Sequence, residues 1–261
     1  MLWPGLSGGA RGEDAGDMSD VRVYLLDVEG TTSPISLVSE QLYPFARKHL
    51  PAFLRAHVEE EELHAAFDHL CEENRGERDR TLPLFVLPDE GESWESVIPS
   101  AVAYLEWQMD RDRKSPVLKY LQGRIWEAGY LSGDLEGTIF ADVAEAFARW
   151  SEGARVAIYS SGSVAAQQLV FGQSTAGDLR PLIAGYFDLS TGIKTEAASY
   201  RAIAKAMGVE PGDVLFVSDA VRELNAAREA GCQTRLAVRP GNPVVEDAQG
   251  HAAIRSFSEM A

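Results

Sequence analysis

Residues 23–32, VYLLDVEGTT, decide the fold, because a short apolar run ends there in two carboxylates and a glycine. The four residues before Asp27 are typical of a strand that is buried on both faces of a sheet. Glu29 and Gly30 follow, and the glycine permits a sharp turn. In an open parallel sheet, ligands bind at the carboxyl ends of the strands. The stretch therefore predicts a strand that delivers Asp27 and Glu29 to a binding edge, and an ordinary strand-closing turn is the alternative.

Four further strands are predicted in the second half of the chain, with helical patterns between them. They lie at 156–160, near 186–190, at 214–219 and at 234–238. A helix from Glu196 to Met207 has one apolar face. Strands that alternate with helices favour a parallel sheet covered by helices on both faces.

Residues 35–135 lack strand alternation and repeat their apolar residues at helical spacing, as in 97–109 and 118–126. The sequence therefore predicts an α/β fold, a doubly wound parallel sheet with a helical cap inserted after the first strand. The predicted divisions are a flexible tail at 1–17, a core domain at 18–34 and 136–261, and a cap domain at 35–135.

Composition and charge disfavour several classes of protein. The 261 residues are 45% hydrophobic, enough for one large domain or a core domain with an insertion. A net charge of −16 disfavours nucleic acid and anionic membrane as partners. No apolar run reaches the roughly 18 residues of a membrane span, and residues 1–17 lack a signal-peptide core. Cys71 and Cys232 have no CxxC spacing and are expected to be reduced, which agrees with a cytoplasmic protein.

Polar residues stand at four strand ends or adjacent loops, and each has an ordinary structural explanation when taken alone. The two serines at 160–161 suit a strand-to-helix turn, Lys194 suits a solvated surface, and Asp219 suits a helix N-cap. Their combination supplies what phosphoryl transfer needs: a nucleophile, a metal site, phosphate donors and a cation. The set comprises Asp27 with Glu29, Ser160 with Ser161, Lys194, and Ser218 with Asp219.

Each of these residue types fits one part of that chemistry. An aspartate can form an acyl-phosphate and divide hydrolysis into two easier displacements. Carboxylates from separate strands can hold Mg²⁺, which prefers oxygen ligands and binds substrate phosphate directly. Ser160 and the N–H groups that begin the next helix suit phosphate oxygens.

The four segments DVEGT, SSG, Lys194 and SDAVRE resemble the four motifs of the haloacid dehalogenase superfamily. Glu29 departs from that pattern, because most phosphatases of this type have a second aspartate there. The enolase-phosphatases of methionine salvage, or acireductone synthases, carry this glutamate. The chain also resembles that family in LLDVEGTTSPI, LQGRIWEAGY, IYSSGSVAAQQLVFG, FDLSTGIKTEAASY and VRPGN.

The resemblance implies a role for each residue at the sheet edge. Asp27 attacks phosphorus, and Glu29 gives its backbone carbonyl to the metal while its side chain acts as acid and base. Lys194 neutralises charge on the phosphoryl group and on Asp27. The implied set is Asp27, Glu29 and Lys194 for catalysis, Ser160, Ser161 and Lys194 for phosphate, and Asp27, Glu29 and Asp219 for Mg²⁺.

The family reaction enolises 2,3-diketo-5-methylthiopentyl-1-phosphate and then removes its phosphate to give an acireductone. The resemblance thus implies a small phosphorylated diketone as substrate, one Mg²⁺ per subunit and a monomer, with no nucleic acid or membrane as partner. A phosphatase of the same superfamily that acts on another small phosphomonoester is the alternative. A catalytically silent binding protein of the same fold is a third hypothesis.

Several other residues have two interpretations. Glu223 either orients the metal site or is a surface helix charge, whereas Arg222 is interpreted as a surface charge. Gln122, Gly123 and Trp126 either line a pocket for the methylthio tail or, for Trp126, continue an apolar core stripe. The five histidines have no i,i+4 pair and are not predicted to bind zinc.

Overall fold

The computed structural model describes residues 21–79, 81–89, 92–111, 113 and 115–260, and in them six parallel strands form one sheet. The spatial order is β3-β2-β1-β4-β5-β6, so the chain winds to one side of β1 and then to the other. The crevice beside β1 is the switch point where open α/β sheets bind ligands. The strands are β1 (Val23–Leu26), β2 (Arg155–Tyr159), β3 (Ile183–Phe187), β4 (Val214–Ser218), β5 (Gln233–Ala237) and β6 (Ala252–Ile254).

Eight α-helices lie in the described residues, five of them between β1 and β2. The first four are α1 (Tyr43–Ala56), α2 (Glu61–Gly76), α3 (Ile98–Asp110) and α4 (Pro116–Ser132), preceded by a π-helical turn, Leu37–Leu42. The others are α5 (Val143–Trp150), α6 (Val164–Gly172), α7 (Ala197–Ala206) and α8 (Val221–Ala230).

Helices cover both faces of the sheet because β1 is apolar on both. Tyr24 and Leu26 pack on one face with α5, α6 and the C-terminal segment. Val23 and Leu25 pack on the other face with α7 and α8. Successive strand residues point to opposite faces, so an unbroken apolar run serves both layers.

The four inserted helices build a core of their own around fully buried side chains such as Phe67, Tyr104 and Leu121. A small cluster then joins them to α6 of the sheet domain, with Tyr130 against Val170. The cap is therefore a separate hydrophobic unit that rests on the sheet domain through a limited apolar contact.

The predicted fold class is confirmed, and the strand boundaries need two corrections. The third strand is Ile183–Phe187 rather than 186–190, because the Asp188 carboxylate accepts hydrogen bonds from the Ser190 N–H (2.9 Å) and hydroxyl (2.6 Å) and closes a turn there. The sixth strand was not predicted, since its three residues are too few to show an alternation.

The predicted domain boundaries stay predictions, and the predicted tail at 1–17 lies outside the described residues. Both Cys71 and Cys232 are buried free thiols, and burial raises the pKa of Cys232 to about 12. Within the described part of the chain, no helix is both long and apolar enough to cross a lipid bilayer.

A buried histidine links β5 to α8 beside the last strand. His251 Nδ1 lies 2.7 Å from the Thr234 hydroxyl, and its Nε2 lies 3.1 Å from Oδ1 of Asn225. Arg228 donates to the same Oδ1 at 2.7 Å. Burial and then the charge of Arg228 lower the pKa of His251 below its ordinary 6.5.

We expect His251 to make the protein less stable in mild acid. Because its folded-state pKa is lowered, the unfolded chain binds more protons, and the contribution present above pH 6.5 is lost as pH falls through the folded pKa. Urea unfolding between pH 5 and 7 should show a stability loss toward acid that is smaller in His251→Gln than in the wild type. Parallel curves for the two proteins would contradict this assignment.

Candidate active site

The β1 loop, residues 27–33, is folded tightly around one carbonyl. The Val28 carbonyl accepts from the backbone N–H groups of Thr31 (3.3 Å), Thr32 (3.0 Å) and Ser33 (2.9 Å). Gly30 has φ +67°, and a Cβ there would lie 2.4 Å from Oδ2 of Asp219. Only glycine fits at position 30, because a side chain would be strained in φ and would collide with Asp219.

Asp27 is buried at the carboxyl end of β1 and is held on both of its oxygens. Oδ1 accepts from the Val28 N–H at 2.7 Å and lies 2.7 Å from Nζ of Lys194. Oδ2 lies 3.2 Å from the Ser218 hydroxyl at the end of β4. The register places these residues together, since Leu26 pairs with Val217 in the parallel ladder. The Asp27 carboxylate therefore has a fixed orientation at the switch point.

Lys194 joins two carboxylates. Its Nζ lies 2.7 Å from Asp27 and 2.6 Å from Oε2 of Glu223 on α8, and only 7% of the residue is exposed. The Tyr200 hydroxyl donates to the Lys194 carbonyl at 2.7 Å and anchors its backbone. Burial alone would lower the pKa of Lys194, but Asp27 and then Glu223 outweigh it and raise that pKa above its usual value.

Glu223 thus has a definite position that the sequence left open. Its carboxylate lies against Lys194 and 3.1 Å from the Ser218 hydroxyl. Burial, followed by the charge of Asp27, raises its pKa. Glu223 orients the lysine, whereas Arg222 beside it is exposed, as predicted.

Asp219 is the third carboxylate of this edge. It is partly buried, and burial, followed by the charge of Asp27, raises its pKa to about 6. The charge of Glu29 acts in the same direction more weakly. The carboxylates of Asp27, Glu29 and Asp219 therefore repel one another across a small, partly desolvated space.

These residues fit a magnesium ion. The candidate ligands are the carboxylates of Asp27 and Asp219 and the backbone carbonyl of Glu29. Mg²⁺ commonly takes only a few protein oxygen ligands and completes its coordination with waters and substrate phosphate. A divalent cation would also relieve the repulsion that raises the pKa of Asp219. Among the described residues, no group of three or more His, Cys, Asp or Glu side chains is placed to hold a metal ion by itself.

Ser160 and Ser161 follow β2 at the same edge of the sheet. Ser160 is buried, and its Oγ accepts from the Gly162 N–H at 3.1 Å, whereas Ser161 is exposed. At the start of α6, the Val164 N–H is already bonded to the Asp188 carboxylate at 3.2 Å. Phosphate donors are therefore more available in the serine turn than in the first turn of that helix.

The three cap residues singled out by the sequence all lie on α4. Trp126 donates its indole N–H to the Leu42 carbonyl at 2.8 Å and packs on the cap core, so its structural role is supported. Gln122 is buried on α4, whereas the space beside the α-carbon of Gly123 is open. The predicted role of these two residues in binding the substrate tail stays a prediction.

Sequence reasoning assigned no role to two side chains that contact the β1 loop. Asn242 donates to the Gly30 carbonyl at 2.8 Å, and the buried Arg239 donates to the Thr31 carbonyl at 2.9 Å. Both lie in the VRPGN segment, whose Pro-Gly pair marks a turn. The pair gave no indication of which loop that turn would contact.

The chain is similar to known proteins over most of its length. A family model for haloacid dehalogenase-like hydrolases matches residues 21–231. The chain is 48% identical to enolase-phosphatase E1 of Synechococcus elongatus, over 92% of this chain and 98% of the relative. It is 42% identical to enolase-phosphatase E1 of Branchiostoma floridae, over 95% of this chain and 86% of the relative.

Solved structures show the same fold. The crystal structure of UTR4 protein (Unknown transcript 4 protein) from Saccharomyces cerevisiae is 34% identical, with a TM-score of 0.72 over 91% of this chain and 98% of that one. A dehalogenase crystal structure is 18% identical, with a TM-score of 0.52, and shows likeness of fold alone. On these matches, the chain belongs to the enolase-phosphatase E1 family of haloacid dehalogenase-like hydrolases, and it is an enzyme of the phosphatase type.

Proposed function

We propose that this enzyme is a Mg²⁺-dependent enolase-phosphatase that converts 2,3-diketo-5-methylthiopentyl-1-phosphate to the acireductone 1,2-dihydroxy-3-keto-5-methylthiopentene and phosphate, a step of L-methionine salvage. The observation that carries the proposal is the buried Asp27 carboxylate, bonded to Lys194 and close enough to Asp219 to raise its pKa. The family relatives named enolase-phosphatase support the choice of reaction. We also propose that the protein is a cytoplasmic monomer. Its net charge of −16 supports the further proposal that it has no nucleic acid or membrane partner.

In the first displacement, an Asp27 oxygen attacks phosphorus and the bond from phosphorus to the leaving oxygen breaks. Lys194 neutralises charge that develops on the phosphoryl oxygens and on Asp27. The Glu29 carboxyl donates a proton to the leaving oxygen. Ser160 and Ser161 hold the non-reacting phosphate oxygens at the end of β2. The substrate of this displacement is the already enolised phosphate, and its products are the acireductone and an acyl-phosphate on Asp27.

In the second displacement, Glu29 takes a proton from the water that attacks the acyl-phosphate, which releases phosphate and regenerates the Asp27 carboxylate. Asp27, Asp219 and the Glu29 carbonyl would hold Mg²⁺. When bound, Mg²⁺ neutralises phosphoryl charge and polarises the diketone for enolisation. The cap helices exclude water and select the substrate tail.

The reaction is tested directly with the diketo phosphate. We expect phosphate release, with ultraviolet absorbance of the conjugated product, in the presence of Mg²⁺ and none with a chelator. Asp27→Asn should lose at least about 10³-fold in rate, because the amide cannot serve as the nucleophile. Asp68→Asn, an exposed aspartate on α2, is the control and should keep wild-type turnover. Turnover on simple phosphate esters alone would support only the superfamily-level reaction.

Glu29→Gln tests the acid and base role. The amide has the same shape but cannot exchange protons, so we expect phosphate release to fall by about 10²- to 10⁴-fold. Absorbance and phosphate release should be followed separately, because they report enolisation and hydrolysis. If Glu29→Gln kept wild-type rates for both, the role assigned to this carboxyl would be wrong.

A single and a double substitution separate the catalytic role of Lys194 from its role in balancing the charge of Glu223. Lys194→Met should lower the free energy of unfolding by about 3–5 kcal/mol, because it leaves two largely buried carboxylates without their cation. Adding Glu223→Gln should recover part of that stability, as measured by urea unfolding. Phosphate release should stay at least about 10²-fold low in both variants. Recovery of activity in the double variant would show that Lys194 serves only to balance Glu223.

A further inference from the structure

The backbone carbonyls of the β1 loop are held by groups from three different parts of the chain. Those of Asp27 and Val28 accept from within the loop, including the Thr32 hydroxyl. The Thr32 carbonyl accepts from the Phe140 N–H at 3.0 Å. The carbonyls of Gly30 and Thr31 accept from side chains that lie outside the loop.

Both of those donors come from the RPGN turn, residues 239–242. Asn242 Nδ2 donates to the Gly30 carbonyl at 2.8 Å and also lies 3.3 Å from the Ala237 carbonyl. Its Oδ1 is buried and has no hydrogen-bond partner, and it would lie 3.0 Å from a Cβ on Gly30. The side chain therefore holds the loop through its amide nitrogen, and its amide oxygen lies beside Gly30.

Arg239 holds the second carbonyl from a rigid position. Its Nε donates to Thr31 at 2.9 Å, while Nη1 contacts the Asp142 carboxylate at 2.7 Å. The guanidinium also lies between two aromatic rings, 4.7 Å from the centroid of Phe140 and 4.4 Å from that of Phe257. The ion pair and the ring contacts therefore fix the orientation of the Arg239 guanidinium, which donates to the Thr31 carbonyl.

We propose that Asn242 and Arg239 are positioning residues for the reaction: together they clamp the Gly30 and Thr31 carbonyls and so set the orientation of the Glu29–Gly30 backbone against Asp219. This inference rests on the proposed function. Gly30 has no side chain with which to anchor itself, and its φ of +67° is not limited to one basin. The hydrogen bonds from Asn242 to the Gly30 carbonyl and from Arg239 to the Thr31 carbonyl restrict the backbone to one conformation. The clamp thus places Glu29 without touching the substrate.

The test compares two amide side chains that make the same kind of bond. Asn242→Ala removes the donor to Gly30, whereas the control Gln233→Ala removes a 3.0 Å bond from Nε2 to the Gly212 carbonyl, near the start of β5. We expect Asn242→Ala to lower kcat on the diketo phosphate by about 10- to 100-fold, with KM within twofold, because small misplacement of reacting groups is costly. Gln233→Ala should keep kcat and KM within twofold of the wild type.

Hydrogen exchange of the metal-free protein gives a readout that does not depend on turnover. Amides of residues 31–33 should exchange faster in Asn242→Ala than in the wild type or in Gln233→Ala. Asn242→Leu, which keeps the branched outline of the side chain but has no donor, should behave like Asn242→Ala. Unchanged kcat, unchanged exchange, or failure of both Asn242 variants to fold would each overturn the clamp. If the wild type does not turn over the diketo phosphate while exchange changes as expected, the proposed reaction fails and the positioning role in it fails too, whereas the hold of Asn242 on the loop backbone is supported.

Discussion

Lys194 balances two carboxylates in a space that water barely reaches, and the rest of the site is arranged around that balance. Asp27 and Glu223 come from different elements, β1 and α8, and one ammonium serves both. Removing three charges from water is costly unless each finds a partner with good geometry. The two short contacts to Lys194 and the Ser218 hydroxyl between the carboxylates provide that geometry. The position of the Asp27 carboxylate therefore depends on the packing of α8 on the sheet.

The sheet register extends this constraint to the backbone. Because β1 pairs in parallel with both β2 and β4, the ends of these three strands meet at one level, and their polar residues share one crevice. Tyr159 and Tyr200 then brace the segment that carries Lys194, since their hydroxyls donate to the carbonyls of Gly192 and Lys194. These tyrosines are buried on one face of the sheet, so the same core that stabilises the fold also fixes the lysine.

The strand ends were predictable from the sequence, because an unbroken apolar run followed by acids or serines is a pattern of neighbouring residues. This explains why Asp27, Ser160 and Asp219 were placed correctly on one edge. The burial of Glu223 was not predictable, since on its own helix it follows the exposed Arg222 and only the tertiary fold brings it to Lys194. The contacts of the RPGN turn were not predictable for the same reason. The turn lies about 210 residues along the chain from the loop that it contacts, and only the tertiary fold brings the two together.

The charge of the site also determines how an acidic protein can hold a phosphate ester. Asp27, Glu29, Asp219 and Glu223 together exceed the single positive charge of Lys194, and the whole chain carries a net charge of −16. Neither the local nor the overall field attracts a phosphate dianion. The proposed binding of phosphate therefore depends on directed donors at short range, the serine turn and Lys194, and on a divalent cation at the carboxylates. A site of this kind discriminates by geometry rather than by charge, so small displacements of its backbone matter more than its net field.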